Sequence, residues 1–204
     1  MSETATRSVG RPPKMEAPRE RILAEATRLF SRAGYEATSL QEVAAAVGIT
    51  KAAVYHYFPT KQVMYETIVV DLLNRLESHV VANLTAPASP RDRLRALMLA
   101  HADFFEANYE AFVTLLHGVS GLSRKITEHE TQVRDRYEKM VRGILNDGVR
   151  TGDLHVADVR AASIAILAML NWMSRWYKPK GSRRARDFAE DFFVLIDQGL
   201  SPRN

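Results

Sequence analysis

The chain of 204 residues contains no cysteine. It can therefore form no disulfide, and it offers no thiolate to a metal. No apolar run approaches the roughly 20 residues that a membrane-spanning helix needs. The longest, 161–173, is broken by Ser163 and Asn171 and fits a buried helix. The start of the chain is polar and charged, without the apolar core of a secretory signal, so a cytoplasmic protein is expected. Alternation of apolar and polar residues never persists beyond a few positions, which leaves an all-α fold as the expectation. The six histidines show neither HExxH nor HxH spacing, and there is no glycine-rich phosphate loop and no nucleophile elbow. Nothing in the chain points to catalysis, a metal or a bound cofactor.

What is present is concentrated in residues 38–61. Ser39 and Glu42 have the spacing of a capping box, so a helix is expected to start at Ser39. Leu40, Val43, Ala44 and Val47 then share one face, and Gly48 follows where a helix end favours positive φ. Ile49 is apolar inside the turn and is expected to plug the angle between two helices. Thr50 caps a second helix of about nine residues, which Pro59 must end. So short a helix needs support, and Val54 and Phe58 lie one turn apart to pack on the first. Lys51, Ala52, Tyr55 and His56 then point away. A cation, a methyl, a phenol and an imidazole suit the acceptors, donors and thymine methyls of a DNA major groove. This is the geometry of a helix-turn-helix reader.

Charge supports a polyanionic partner. The net charge is +4, and residues 1–62 carry nine basic residues against six acidic ones, while the remainder is nearly balanced. Residues 1–17, with Gly10, Pro12 and Pro13, read as a disordered arm. Arg11 and Lys14 at its centre either enter a narrow minor groove or belong to an ordinary solvated tail. Residues 18–33 form a first helix with Ile22, Leu23, Ala26, Leu29 and Phe30 on one face.

Residues 20–66 resemble the DNA-binding domain of the tetracycline-repressor (TetR) family of transcriptional regulators. The matching text is RILAEATRLFSRAGYEATSLQEVAAAVGITKAAVYHYFPTKQVMYE, and Leu29-Phe30, Gly34-Tyr35, Thr38-Ser39, AAAVGIT and VYHYFPTK carry most of the likeness. The resemblance implies an N-terminal three-helix helix-turn-helix domain over 18–62. It also implies a helical ligand-binding and dimerisation domain over 63–204, with about nine helices in all. It implies that Thr38, Ser39, Tyr57 and Lys61 hold DNA phosphates, and that a fourth helix, Thr60 to about Leu84, connects reader to second domain.

Beyond that helix, Ser89, Pro90 and Asp92 start another, with Leu94, Leu97, Met98, His101, Phe104 and Phe105 on a wide apolar face. A short helix at about 110–117 and a long charged one from about Leu122 to Arg150 follow. Asp158 caps a helix running to Lys178, apolar nearly all round between Ala161 and Met173 and so expected to be covered on every side there. Ser182 is expected to cap a last helix ending at Gly199. The last two helices present more apolar surface than one chain leaves wet, which points to a homodimer. Two readers on a palindromic operator also roughly double the discrimination available to one.

Asn171, Trp172, Arg175 and Trp176 stand just before Lys178, Lys180, Arg183, Arg184 and Arg186. Aromatics beside cations suit an amphipathic anion such as an acyl-CoA, and LNWMSRWYKP is similar to the same region of TetR-family regulators that respond to acyl-CoA thioesters. The alternative is that the aromatics are packing and the cations a solvated turn. His101, Phe105 and His117 complete the candidate ligand set, His101 and His117 being equally readable as core or boundary histidines. The expected function is a transcriptional repressor released from double-stranded DNA by a small-molecule effector. A drug-responsive efflux repressor, and a helical acyl-CoA carrier or enzyme without DNA binding, are the alternatives.

Overall fold

The computed structural model describes residues 18–84, 88–117 and 127–198. Among them run nine helices and no strand: α1 Pro18–Ala33, α2 Leu40–Val47, α3 Lys51–Tyr57, α4 Lys61–Asn83, α5 Pro90–Ala107, α6 Tyr109–His117, α7 Glu128–Thr151, α8 Val159–Trp176 and α9 Ala185–Gln198. The all-α reading holds. Arg11, Lys14, Leu122 and Gly199 lie outside the described residues, and the long charged helix starts at Glu128 behind its Thr127 cap.

Most boundaries are set by local chemistry. Thr50, Thr60, Ser89, Thr127 and Asp158 each accept a hydrogen bond from a backbone N–H of the helix they precede. The second reader helix has seven residues, shorter than expected, because Phe58, the residue before Pro59, leaves it in an extended conformation at φ −135° and ψ 98°. The α8 helix stops at Trp176 rather than Lys178, with the Tyr177 N–H bonded to the Met173 carbonyl.

Ser182 does not cap α9. The helix begins three residues later, where the Asp187 carboxylate accepts the Arg184 N–H at 2.8 Å. Arg184 is also drawn to Glu106 and Asp103, and Arg186 to Asp103, both acids on α5. These pairs hold the approach to α9 against α5, and Arg91 grips Asp197 bidentately with both contacts at 2.6 Å near its other end.

The α1, α2 and α3 helices form a small cluster in which α3 leans on α2. The α4 helix packs on α1 at one end and on α5 and α7 further along. It buries Met64, Tyr65, Ile68, Val69, Leu72, Leu73, Leu76 and Val80, so the core runs unbroken through both parts of the chain. The α8 helix has two unlike sides. Its Ile166, Leu170 and Met173 side is buried, but Ile164 and Trp172 are exposed within one chain. Val194, Leu195 and Ile196 of α9 are exposed as well.

Candidate nucleic-acid interface and effector cavity

The turn between α2 and α3 is built from its caps. Ser39 accepts the Glu42 N–H at 3.2 Å, and the Glu42 carboxylate accepts the Ser39 N–H at 2.7 Å. That backbone bond, with the Ser39 hydroxyl, holds the Glu42 carboxyl below its usual range. Gly48 takes φ 76°, and the Ile49 N–H reaches back to the Ala44 carbonyl at 3.0 Å, closing the helix end. Ile49 packs against the core, as expected of a plug in the angle. From α1, the Arg21 guanidinium donates to the Val47 carbonyl at 3.2 Å and ties down the same end.

Val54 and Phe58 are buried beneath α3, and the Arg19 guanidinium lies 5.4 Å from the Phe58 ring. Lys51, Ala52, Tyr55 and His56 are all exposed on the opposite side. The Lys51 ammonium stands 5.6 Å from the centre of the Tyr55 ring, and the His56 and Tyr57 rings meet edge to face at 5.4 Å. The four expected base readers therefore share one solvent-facing surface.

The four expected phosphate contacts are arranged less simply. Thr38, Ser39 and Lys61 line one groove with Tyr55 and Thr60, while exposed Tyr57 lies apart from it. Thr38 is 3% exposed, with its hydroxyl donating to the Gly34 carbonyl at 2.9 Å. The Ser39 hydroxyl donates to Glu42 at 2.8 Å. The Lys61 ammonium donates to the Tyr35 and Glu36 carbonyls at 2.7 and 3.2 Å and sits over the Tyr35 ring. Side chains expected to face DNA thus already hold the start of α2 and α4 in register.

In the second part of the chain, α4 to α8 line a partly open cavity of about 130 Å³, with Leu73, His101, Phe112, Tyr137 and Asn171 among its walls. His101 is 1% exposed, and burial pushes its imidazole pKa down to about 3, so the ring is neutral at pH 7. Its Nδ1 lies 3.0 Å from the Tyr137 hydroxyl, and its Nε2 meets no protein partner among the described residues. Burial raises the Tyr137 phenol well above its usual value, the more so with Glu77 nearby. A larger groove of about 850 Å³ between α1 and α4 is open to solvent, with Arg19, Glu66, Arg75 and His129 on its sides.

The seven expected ligand residues separate. His101 and Asn171 line the cavity. Phe105 is fully buried but packs edge to face on Phe112, Tyr109 and Tyr177, behind the wall rather than in it. The His117 side chain lies outside the described residues. Trp172 is 62% exposed, with the Arg175 guanidinium over its ring at 5.5 Å, and Trp176 lies against Phe188 at the surface. Consecutive helix positions differ by about 100°, so Asn171 turns inward while Trp172 does not. Arg183 pairs with Asp191 at 2.6 Å, and Arg184 and Arg186 with the α5 acids, so among the described residues only the two lysines of the cationic run stay uncommitted. Tyr137 was not anticipated. It sits on a strongly charged helix and acquires its meaning from His101, 36 positions earlier.

Among the described residues no group of three or more His, Asp or Glu side chains is placed to hold a metal ion, and no helix is long and apolar enough to cross a membrane.

Comparison with known proteins joins these parts. Residues 22–68 match the family described as bacterial regulatory proteins, tetR family, and residues 87–200 match the tetracyclin repressor-like C-terminal domain. The HTH-type transcriptional repressor KstR2 of Mycolicibacterium smegmatis is 26% identical over 93% of this chain and 94% of that protein. The TetR-family regulator PfmR from Thermus thermophilus is 43% identical, covering 89% of this chain and 100% of PfmR, with a TM-score of 0.81. AibR, solved with isovaleryl coenzyme A and operator DNA, is 25% identical over 88% of this chain and 98% of its own, with a TM-score of 0.78.

Proposed function

Because the chain belongs to the TetR family of bacterial transcriptional regulators, we propose that it represses by holding a palindromic operator as a homodimer and lets go when an acyl-CoA thioester binds. Residues 18–62 read DNA, and residues 63–204 hold the effector and the partner chain. Lys51, Ala52, Tyr55 and His56 are the base readers, and Tyr57 and Lys61 the side chains nearest to phosphate. The exposed apolar strip of Ile164, Trp172, Val194, Leu195 and Ile196 is the surface that a second copy would cover. Trp172 and Trp176 then belong to that interface more than to the effector site.

The observation that carries the reading is a set of buried bonds between cavity and reader. Phe112 and Leu115 of α6 line the cavity. One turn of the same helix is tied in two directions. The Tyr65 hydroxyl of α4 donates to the Thr114 and Leu115 carbonyls at 2.9 and 3.2 Å, and the Thr114 hydroxyl donates to the Thr27 carbonyl of α1 at 3.1 Å. A ligand that displaces α6 therefore acts on α1 and α4 together and changes the spacing of the two readers. It shifts DNA affinity only by its preference for one arrangement, about 5- to 150-fold for typical couplings.

One observation favours a second reading, a drug-responsive repressor of an efflux gene with a greasier effector. Arg183, Arg184 and Arg186 are already paired, which leaves a weaker clamp for CoA phosphates. The test is selection of a bound duplex from a random library, then anisotropy titration with isovaleryl-CoA, a long-chain acyl-CoA and free CoA. Release by an acyl-CoA but not by CoA is expected. Failure to recover any duplex overturns the repressor reading and leaves a helical acyl-CoA carrier. Recovery of a duplex that no thioester releases overturns the effector and favours the efflux reading.

A further inference from the structure

His101 lines the cavity, and its Nε2 is a buried atom that meets no protein partner among the described residues; the protonation of that atom follows from its neighbour. The Tyr137 hydroxyl is buried, and among the described residues its hydrogen-bond partner is His101 Nδ1. If Nδ1 carried the proton and donated to the phenol, the phenol hydrogen and the Nε2 lone pair would both be buried without partners. If the phenol donates to Nδ1, only the Nε2–H is left over. Each unpaired buried group is costly, so the second arrangement prevails. His101 then carries one unanswered N–H donor, in the wall of a cavity lined by five leucines and Phe112 beside Arg134, Glu138 and Asn171.

From this geometry we propose that the cavity takes a neutral, compact acyl or ketone group whose carbonyl oxygen accepts the Nε2–H of His101, with Tyr137 fixing the tautomer. The inference rests on the reading of this cavity as the effector site. A space of about 130 Å³ suits about six carbon atoms, since a dry apolar cavity of roughly 150 Å³ holds benzene. A carboxylate is disfavoured. The imidazole is neutral, and the one cation on the wall, Arg134, is held by buried Glu130 at 2.7 Å. A bare anion would lose its hydration for one N–H. Asn171 offers a second neutral polar group on the same wall.

The test uses full-length protein labelled with ¹⁵N-histidine, titrated with cyclohexanone and with cyclohexane. These probes share a skeleton and differ by the oxygen. The His101 signals are expected to report a protonated Nε2 and a bare Nδ1, and the Nε2–H resonance to move with the ketone only. The ketone-to-alkane affinity ratio, in which hydrophobic transfer cancels between proteins, is expected to fall about 3- to 10-fold in His101→Leu. Tyr137→Phe, which keeps the ring and the packing, is expected to mix the tautomers and lower the ratio part of the way. A protonated Nδ1 in the parent protein, an unchanged ratio, or absence of binding by both probes overturns the proposal. An unchanged ratio with acyl-CoA still releasing DNA removes the His101 contact alone. A fallen ratio with no thioester acting on DNA keeps the cavity chemistry and removes the acyl-CoA.

Discussion

His101 makes the stability of this protein depend on pH in a way that can be worked in advance. In the unfolded chain its imidazole titrates near 6.5, and in the folded chain burial lowers it to about 3. Between those values the unfolded state binds a proton that the folded state refuses. The stabilisation is therefore complete above pH 6.5 and is lost as pH falls, by about 1.4 kcal/mol per unit, levelling off near pH 3. From pH 7 to pH 5 the loss is about 2 kcal/mol per chain. Replacing His101 by Leu removes this term and adds a packing offset that does not vary with pH. Urea unfolding of both proteins at pH 7 and pH 5, at one fixed protein concentration, isolates it, because the other five histidines cancel in the double difference. The variant is expected to lose about 2 kcal/mol less than the parent. Equal losses would mean that the folded imidazole takes up a proton freely, and the argument from burial would be wrong.

Three further outcomes follow from particular contacts. Gly143 and Gly148 both lie within α7, yet a Cβ at Gly143 meets nothing within 4 Å while one at Gly148 falls 2.5–2.9 Å from three atoms of Leu154. Gly143→Ala is expected to stabilise by about 0.5–1 kcal/mol and Gly148→Ala to destabilise despite its better propensity, with thermal melting as the check and the same sign for both as the refutation. Tyr65→Phe leaves α6 carbonyls without their donor and is expected to cost about 1–3 kcal/mol in urea unfolding; it should also weaken effector-driven DNA release, and unaltered release would break the proposed link from α6 to α4. Lys61→Ala removes two bonds to carbonyls and is expected to lower the melting temperature as well as operator affinity; a salt dependence of binding that keeps its slope would assign Lys61 to holding the α1–α2 connection rather than to phosphate.

Helix ends were readable because caps are local. Ser39 with Glu42, Gly48, Thr50, and Ser89 with Pro90 each declare themselves within four residues. The start of α9 was not, since Ser182 offers a plausible cap while the actual organisation uses Asp187 and acids on α5 about 80 positions away. Periodicity also told which residues of α8 share a face but not what that face meets. Asn171 and Trp172 are neighbours in sequence, and one lines the cavity while the other faces solvent. Lys61 shows the same limit in the reader, because its ammonium is taken by carbonyls 25 and 26 residues upstream. The pairing of His101 with Tyr137, on which the cavity's chemistry turns, joins an apolar helix to a charged one and leaves no mark in either pattern.

The central claim is that the outer face of α3 reads DNA. The direct measurement is anisotropy of the selected duplex with Lys51→Ala and Tyr55→Ala. Both side chains are exposed, so melting temperature is expected to stay within about a degree or two, as for surface changes generally. Operator affinity is expected to fall by about 1–3 kcal/mol per half-site, with sequence preference relaxed at the bases that each residue contacts. Unchanged affinity and preference in both variants would contradict the assignment of α3 as the reader.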